Sequence, residues 1–407
     1  MNNYDVVVLG GGAGGLFAAA NLNCGKVAVI EKERKLGRKL LATGNGRCNL
    51  TNLDMQTKYY NFSARDFIEK IILKEPSQKL IEDFRKMGLL CRPDSEGRVY
   101  PYSNQAISVV DVLVSKCEKS GVEFITDTRI NEISPKNGGF ELVSDKGIFF
   151  CKKLILACGG KVQKNLGSDG SSYIFANQLG IACSSVFPSL GAVPVDDKDI
   201  AQAKGVRTSA KISVLGDGNI LHTEVGELQI NEKNISGICV FQLSRYVSEY
   251  YANQSQYRNI KIAVDFAPDI SFDELVRYFG TKKSSEDVFE GFLNKKLGSY
   301  LIKKSGIKNF SAKDSERLAK IVKKCVFDPS GTIGENSAQV TAGGIELGEI
   351  NENFRSRKYK NLYIIGEALN VDGMCGGYNL HFAFASGKIC ADDINSKRKN
   401  NDKNKRN

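Results

Sequence analysis

The sequence holds only two histidines, and none of its 11 cysteines forms a CxxC or CxxxxC pair. Zinc sites and local dithiol relays draw on such clusters, and disulfide frameworks belong to short secreted chains with paired cysteines. Their absence argues against metal and disulfide chemistry and for reduced, mostly buried thiols in a cytosol. There is no run of about 18 apolar residues, so no membrane-spanning helix is expected. The start, MNNYDVVVLG, enters a strand without a basic and then apolar leader. A cytoplasmic chain without membrane partners is therefore expected. The body also shows no arginine–aromatic stripe. The formal charge is +11, but the end of the chain, SKRKNNDKNKRN, holds six Lys or Arg against one Asp and supplies +5 of it. This stretch, residues 396–407, lacks apolar residues to bury and is expected to be a disordered basic tail. Nucleic acid is accordingly not expected as a partner; a small-molecule substrate is.

What is present points to an α/β protein. At 407 residues the chain exceeds the roughly 250–300 at which one core stops growing, so at least two domains are expected. YDVVVLG, AGGLFAAANLNC and KVAVIEK read as strand, helix and strand within about thirty residues. SARDFIEKIILK and SQKLIEDFRKMG read as helices, the first with Ser63 as N-cap and the second stopping at Gly88. AISVVDVLVSKCEKSG reads as a further helix and VEFIT as a strand. From Arg129 to Gly160 a three-stranded meander returns to the central sheet, and a helix starts near Ser171. Composition then shifts. Residues 189–266 read as β-rich with a hairpin at GDGN, and 271–326 as helical. Near Ser337 the α/β character returns and closes in the helix YNLHFAFASGKICADDI. The expected organisation is a discontinuous domain, 1–188 with 336–395, carrying residues 189–335 as an inserted module.

The motif Gly10-Gly11-Gly12-Ala13-Gly14-Gly15 satisfies GxGxxG between a strand and a helix. Gly10 allows the tight turn, Gly12 lets backbone approach a pyrophosphate, and Gly15 lets helix pack on strand. Ala13 and Gly14 open the helix, whose N-terminus favours phosphate. Glu31 ends the second strand, where an acid accepts from the ribose of an adenosine, and Lys32 follows it. A dinucleotide is thus the expected ligand of the first domain.

Later segments specify which one. KLILACGGK, with Ala157 and Gly159, resembles the strand and turn that flavoprotein disulfide reductases and fumarate-reductase-like proteins place before their second contact with FAD. LYIIGEALNVDGMCGGYNLHFAFASG resembles the C-terminal FAD motif: a strand ending in Gly366 and Glu367, then Gly376 and Gly377 opening a helix with Tyr378 and Asn379. These segments, together with GRKLLATGNGRCNLTN, GSDGSSYIFANQLG and VTAGGI, resemble the BaiN/YhiN-like flavoprotein family, also called the aminoacetone-oxidase family. The resemblance spans nearly the whole chain and implies a Rossmann-type FAD-binding domain with an inserted β-barrel-like plus helical module.

The resemblance also implies roles. The loop Leu40, Thr43, Gly44, Asn45, Gly46, Arg47, Cys48 would run along the FAD, offering backbone N–H groups. Lys39 and Arg47 would place positive charge beside a pyrophosphate or reduced flavin. Asn49 and Asn52 would be amides for the flavin edge, with Asx turns as the competing use. Glu367 would meet ribityl hydroxyls or a pyrophosphate water. Asp169 and Gly170 would approach the adenine or pyrophosphate side, the alternative being a helix cap. Gly343 and Gly344, beside Thr341, would let the flavin ring near backbone. Tyr378, His381 and Cys48 are the weak catalytic candidates, with packed side chains as the competing reading. No metal ligand is named.

The expected activity is an FAD-dependent oxidoreductase passing hydride between flavin N5 and a small organic substrate. No second complete GxGxxG exists, so NAD(P)H would serve only as a transient reductant at the flavin face. The resemblance leaves open oxidation of an aminoketone and reduction of an enone. A flavin-dependent RNA-modifying protein and a flavin binder with little turnover stand as alternatives.

Overall fold

Val6, Val7 and Val8 are fully or almost fully buried on both faces of the first strand, as a central strand of a parallel sheet requires. The computed structural model describes residues 2–252, 256–284 and 288–404. The chain divides into two compact units, Met1–Val186 with Val340–Asn407, and Phe187–Gln339.

In the first unit, β1 (Asn2–Leu9), α1 (Ala13–Asn21) and β2 (Val27–Ile30) form a parallel β-α-β step, with Val6 opposite Val27 and Leu9 opposite Ile30. The strand Glu123–Ile125 extends the sheet beyond β2 in parallel. On the other side β1 pairs in parallel with the long strand Gly147–Leu156, Leu9 facing Leu156. That strand begins as the last arm of an antiparallel meander with Ile130–Lys136 and Gly139–Ser144. Its far end pairs in parallel with Leu362–Ile364. The carboxyl ends of β1, β2, the long strand and Leu362–Ile364 therefore lie side by side, where α/β sheets bind ligands. α1 is buried from Gly14 to Ala20 and packs against the C-terminal helix, Tyr378–Asn404. A separate small antiparallel sheet joins Thr51–Asn52, Arg98–Pro101 and Cys91–Pro93.

The second unit is built on six antiparallel strands in the order Val193–Pro194, Asn234–Ser236, Asn219–Ile230, Arg207–Gly216, Ile260–Asp265, Cys325–Phe327. A bridge between Val195 and Pro329 joins the first strand to the last and closes the sheet into a barrel, removing its edges. Asp217 and Gly218, both at positive φ, make the hairpin turn. A helix, Ile238–Tyr251, precedes the strand Ile260–Asp265, and three more, Phe272–Gly280, Lys295–Ser305 and Ser315–Lys323, lie between that strand and Cys325–Phe327. The helix Phe272–Gly280 carries a capping box between Ser271 and Glu274.

Two local expectations are corrected. Ser63 lies inside a short 3-10 turn, Phe62–Ala64, and the helix Arg65–Lys74 starts after Ala64 without a side-chain cap. The basic stretch from Ser396 begins within the C-terminal helix, whose backbone stays helical to Asn404; residues 405–407 lie outside the described residues. Nucleation is the costly step in a helix, and the docked first turns have already made it. Among the described residues no helix is long and apolar enough to cross a membrane.

Candidate functional site

The first turn separates the jobs of its glycines. Gly10 sits at φ 111°, and a Cβ there would lie 2.4 Å from the Ala157 carbonyl oxygen. A Cβ on Gly15 would fall 2.0 Å from the Gly10 oxygen, and one on Gly14 3.0 Å from the Ala383 oxygen on the C-terminal helix. These three glycines are demanded by packing. A Cβ on Gly12 would meet nothing within 4 Å, so Gly12 leaves open space beside the start of α1. The Glu31 carboxylate accepts from the Gly11 N–H at 2.7 Å and from the Glu33 N–H at 3.0 Å, which fixes it at the turn and leaves acceptor capacity for a ribose.

Beside β2, Lys32 pairs with Asp169 at 2.6 Å, and Arg129 reaches the same carboxylate at 3.1 Å. Burial alone would raise the Asp169 pKa, but hydrogen bonds from Lys32 and Ser171 and the Lys32 charge hold it well below the carboxylate range. Gly170, at φ 85°, occupies the cap position of the helix Ser171–Gln178, and Asp169 accepts from the Ser171 N–H at 3.2 Å. Asp169 thus serves the helix start and two cations. Gly159 accepts from the Ser172 hydroxyl at 2.8 Å, pinning the turn after Ala157 to that helix.

The glycine-rich loop after α2 (Arg38–Ala42) is a 3-10 turn, Thr43–Gly46, in which Gly44, Asn45 and Gly46 are all left-handed, at φ 57°, 55° and 79°. Only glycine and asparagine take that conformation cheaply, which accounts for the residue types. Leu40 is buried in the core, and the Thr43 hydroxyl donates to its carbonyl at 2.7 Å. Cys48 is fully buried and its thiol pKa is pushed up to about 12 by that burial. Cys48 is in no disulfide. The Asn49 Oδ1 is buried without a hydrogen-bond partner, and a Cβ on Gly377 would lie 2.8 Å from it. A buried acceptor without a donor is costly, and a ligand N–H at the Gly376–Gly377 turn would satisfy it.

Several candidates are committed to the protein itself. Lys39 Nζ lies 2.9 and 2.8 Å from the two Glu367 oxygens, and Glu367 also accepts from the Thr341 N–H at 2.9 Å. Their charges therefore cancel each other. The Thr341 hydroxyl accepts from the Lys161 and Val162 N–H groups at 2.8 and 3.2 Å. Gly343 and Gly344 are required by packing, since Cβ atoms there would lie 2.0 Å from the Ser185 oxygen and 2.8 Å from the Ala368 oxygen. The Gly366 N–H donates to Ser386. Asn52 donates to the Gly376 carbonyl at 3.0 Å and accepts from the Asp54 N–H at 2.9 Å, while Asn379 clamps Gly373 in both directions. These amides shape loops, because short polar side chains find backbone partners first.

Tyr378 is buried and stacks on Tyr59 with centroids 4.6 Å apart; burial raises its phenol pKa further above the usual range. His381 is 1% exposed, its Nδ1 2.9 Å from the Thr51 hydroxyl, and burial lowers its pKa to about 4. It is neutral and shielded. Arg47 does not face inward: its guanidinium lies 4.8 Å over the Tyr100 ring. Arg92 lies 4.9 Å over Tyr102, so the fold assembles arginine–aromatic pairs that no sequence stripe announced. Gly160 was also missed; a Cβ there would stand 2.2 Å from the Thr341 hydroxyl. The only signal was its place in the CGG turn.

The open Gly12, Glu31 with spare acceptor capacity, the left-handed loop and the orphaned Asn49 oxygen fit an extended FAD across the carboxyl ends of the sheet. The HI0933-like protein Rossmann domain family matches residues 4–393. A 3-dehydro-bile acid delta(4,6)-reductase from Clostridium scindens is 36% identical over 399 residues, covering 94% of this chain and 97% of that protein. A ribosomal RNA dihydrouridine synthase from Escherichia coli is 27% identical over 413 residues, covering 97% and 98%. Among solved structures, the 3-ketosteroid delta1-dehydrogenase from Sterolibacterium denitrificans shares the fold with a TM-score of 0.54 at 13% identity, covering 98% of this chain and 100% of that one. The 3-ketosteroid-delta4-(5alpha)-dehydrogenase from Rhodococcus jostii does so at 0.50 and 14%, covering 96% of each. With a family match across nearly its whole length, the chain belongs to the HI0933-like, BaiN/YhiN-like Rossmann FAD-binding family and is an FAD-dependent oxidoreductase.

Proposed function

We propose that the protein reduces a carbon–carbon double bond conjugated to a carbonyl, with NAD(P)H as the electron source. The observation that carries this is the 36% identity, along 94% of the chain, to a protein named as a reductase of a 3-oxo steroid acid at its Δ4,6 bonds. The more distant relative is named for forming dihydrouridine, which is also saturation of a C=C conjugated to a carbonyl. One reaction type thus covers both names, and oxidation of an aminoketone has no comparable support.

FAD, when bound, supplies two-electron hydride chemistry at its N5. The residues of this chain do the rest. Gly12 and the start of α1 would receive the FAD pyrophosphate, Glu31 would accept from its ribose, and Asn49 Oδ1 would accept from a donor at the Gly376–Gly377 turn. Tyr378 and Tyr59 form an aromatic wall beside that turn, with the Tyr378 Oη keeping its proton at physiological pH. His381, three residues further along the same helix, meets the Thr51 hydroxyl through its Nδ1.

A second carrier of the same bond, a uracil ring in RNA, is favoured by the name of the 27% relative. The test is anaerobic: the dithionite-reduced protein is mixed with a 4,6-dien-3-one bile acid, with a uridine-containing ribosomal RNA fragment, or with aminoacetone. Flavin reoxidation with gain of two hydrogens by the first or second substrate is expected. Failure of both conjugated carbonyls to reoxidise it would overturn the proposal.

A further inference from the structure

We infer that the outer face of the small three-stranded sheet is the docking site for the reductant, a nicotinamide dinucleotide carrying a 2′-phosphate. In its register Arg92 stands opposite Tyr100, and Asn52 opposite Arg98. Residues opposite one another, and residues two apart on a strand, share a face, so Asn52, Arg98, Tyr100 and Arg92 project together and Tyr102 continues the row. The other face carries Thr51 and Val99, both fully buried; along the row itself Asn52 and Tyr100 are covered, at 4% and 6% exposure, while Arg92 and Tyr102 are open.

Two features make this row a receptor. The Arg47 guanidinium lies 4.8 Å over the Tyr100 ring and its Nε donates to the Gly44 carbonyl at 3.2 Å, leaving its two terminal nitrogens for another group. Arg92 is held the same way on Tyr102, which is 63% exposed. Among the described residues neither arginine pairs with a carboxylate. The nearby acids, Asp94 and Glu96, are both engaged by Arg98, at 2.7 and 3.0 Å. An exposed arginine ordinarily loses side-chain entropy on binding; one already stacked has less to lose, and its planar fork matches phosphate.

The row also has a direction. Its inner end is tied to the flavin turn, because Asn52 donates to the Gly376 carbonyl at 3.0 Å. From there Tyr100 with Arg47 comes first, and Tyr102 with Arg92 lies two residues, roughly 7 Å, further out. Two fixed cations with flat partners, leading away from the flavin, match a pyrophosphate followed by a 2′-phosphorylated adenosine. A nucleic-acid strand would need a longer track of free cations, and the next one on this face, Arg98, is already taken. The sequence has no second GxGxxG to hold the reductant elsewhere. The inference rests on the proposed reductase activity. Its balance is NADPH, one proton and the substrate C=C giving NADP⁺ and the saturated bond, two electrons leaving the nicotinamide with the hydride.

The experiment uses the full-length, FAD-loaded protein and titrates NADP⁺, NAD⁺ and a labelled oligouridylate by calorimetry and flavin absorbance. NADP⁺ is expected to bind about tenfold or more tighter than NAD⁺. Arg92→Ala is expected to abolish that preference, and Arg47→Ala to weaken both dinucleotides by about tenfold. FAD content and melting temperature check that the variants fold. Unchanged NADP⁺ affinity in both variants, or loss of oligouridylate binding with NADP⁺ binding intact, would overturn the site. If dithionite-reduced protein turns over no conjugated carbonyl while this pattern holds, the proposed activity fails and the site stands.

Discussion

Lys39 and Glu367, 328 positions apart in sequence, form a two-oxygen ion pair at 2.8 and 2.9 Å that ties α2 to the strand end near the C-terminus. Each side chain is about four-fifths buried, at 20% and 22% exposure. Glu367→Ala leaves the Lys39 ammonium unpaired and the Thr341 N–H without its acceptor, and is expected to cost about 2 kcal/mol in urea unfolding. Lys39→Ala added to it should cost little more, because the pair acts as a unit.

Gly12 and Gly15 separate binding from folding. Gly12→Ala is expected to leave the urea midpoint of the apoprotein nearly unchanged while FAD affinity falls about tenfold or more, read by fluorescence titration. Gly15→Ala drives a methyl into the Gly10 carbonyl and is expected to destabilise by about 3 kcal/mol or more.

His381 makes stability fall in mild acid. Its folded pKa, about 4, lies below the unfolded value of about 6.5, so the unfolded chain binds the proton first. The stability this neutral histidine permits is fully present above about pH 6.5 and is lost as pH falls toward about 4. The loss is on the order of 3 kcal/mol, measured as the urea unfolding free energy of wild type against His381→Asn, whose curve should be flatter across that window.

Asp169 acts lower on the scale. Its folded pKa is depressed, so its contribution is present above the unfolded value of about 3.9 and disappears as pH falls below it. Asp169→Asn should therefore be less stable than wild type at pH 7, and the two should converge below about pH 4. Thermal unfolding at several pH values checks this.

Cys48 is expected to be unreactive. With its thiol pKa at about 12 and no exposure, it should resist iodoacetamide in the native protein, whereas the exposed Cys183 should label first. Mass spectrometry of peptides before and after urea distinguishes the two.

The loop LATGNGRCNLTN shows where sequence reading stopped. Its glycines and Asn45 announced a left-handed turn, since few other residues adopt that backbone, and the turn is there. The side chains could not be assigned in the same way. Asn49 and Asn52 are the same residue type three positions apart, yet one is left with an orphaned buried oxygen and the other is spent on Gly376. Arg47 was expected to carry charge toward a phosphate or flavin, and its ring partner, Tyr100, stands 53 positions away on a strand that no local pattern pointed to.

The sequence by itself determined the Rossmann start, the return of the chain to the same sheet at its far end, and the family. Those features rest on local backbone demands: apolar β-branched runs, a tight turn without Cβ atoms, and an acid at the end of the second strand. The partner of each polar group was decided by the tertiary structure. Lys39 with Glu367, Asn379 with Gly373, Gly344 with Ser184 and Arg92 with Tyr102 are pairings between segments. A charged or amide side chain takes whatever acceptor or ring the fold brings within about 3 to 5 Å, and no local pattern encodes that distance.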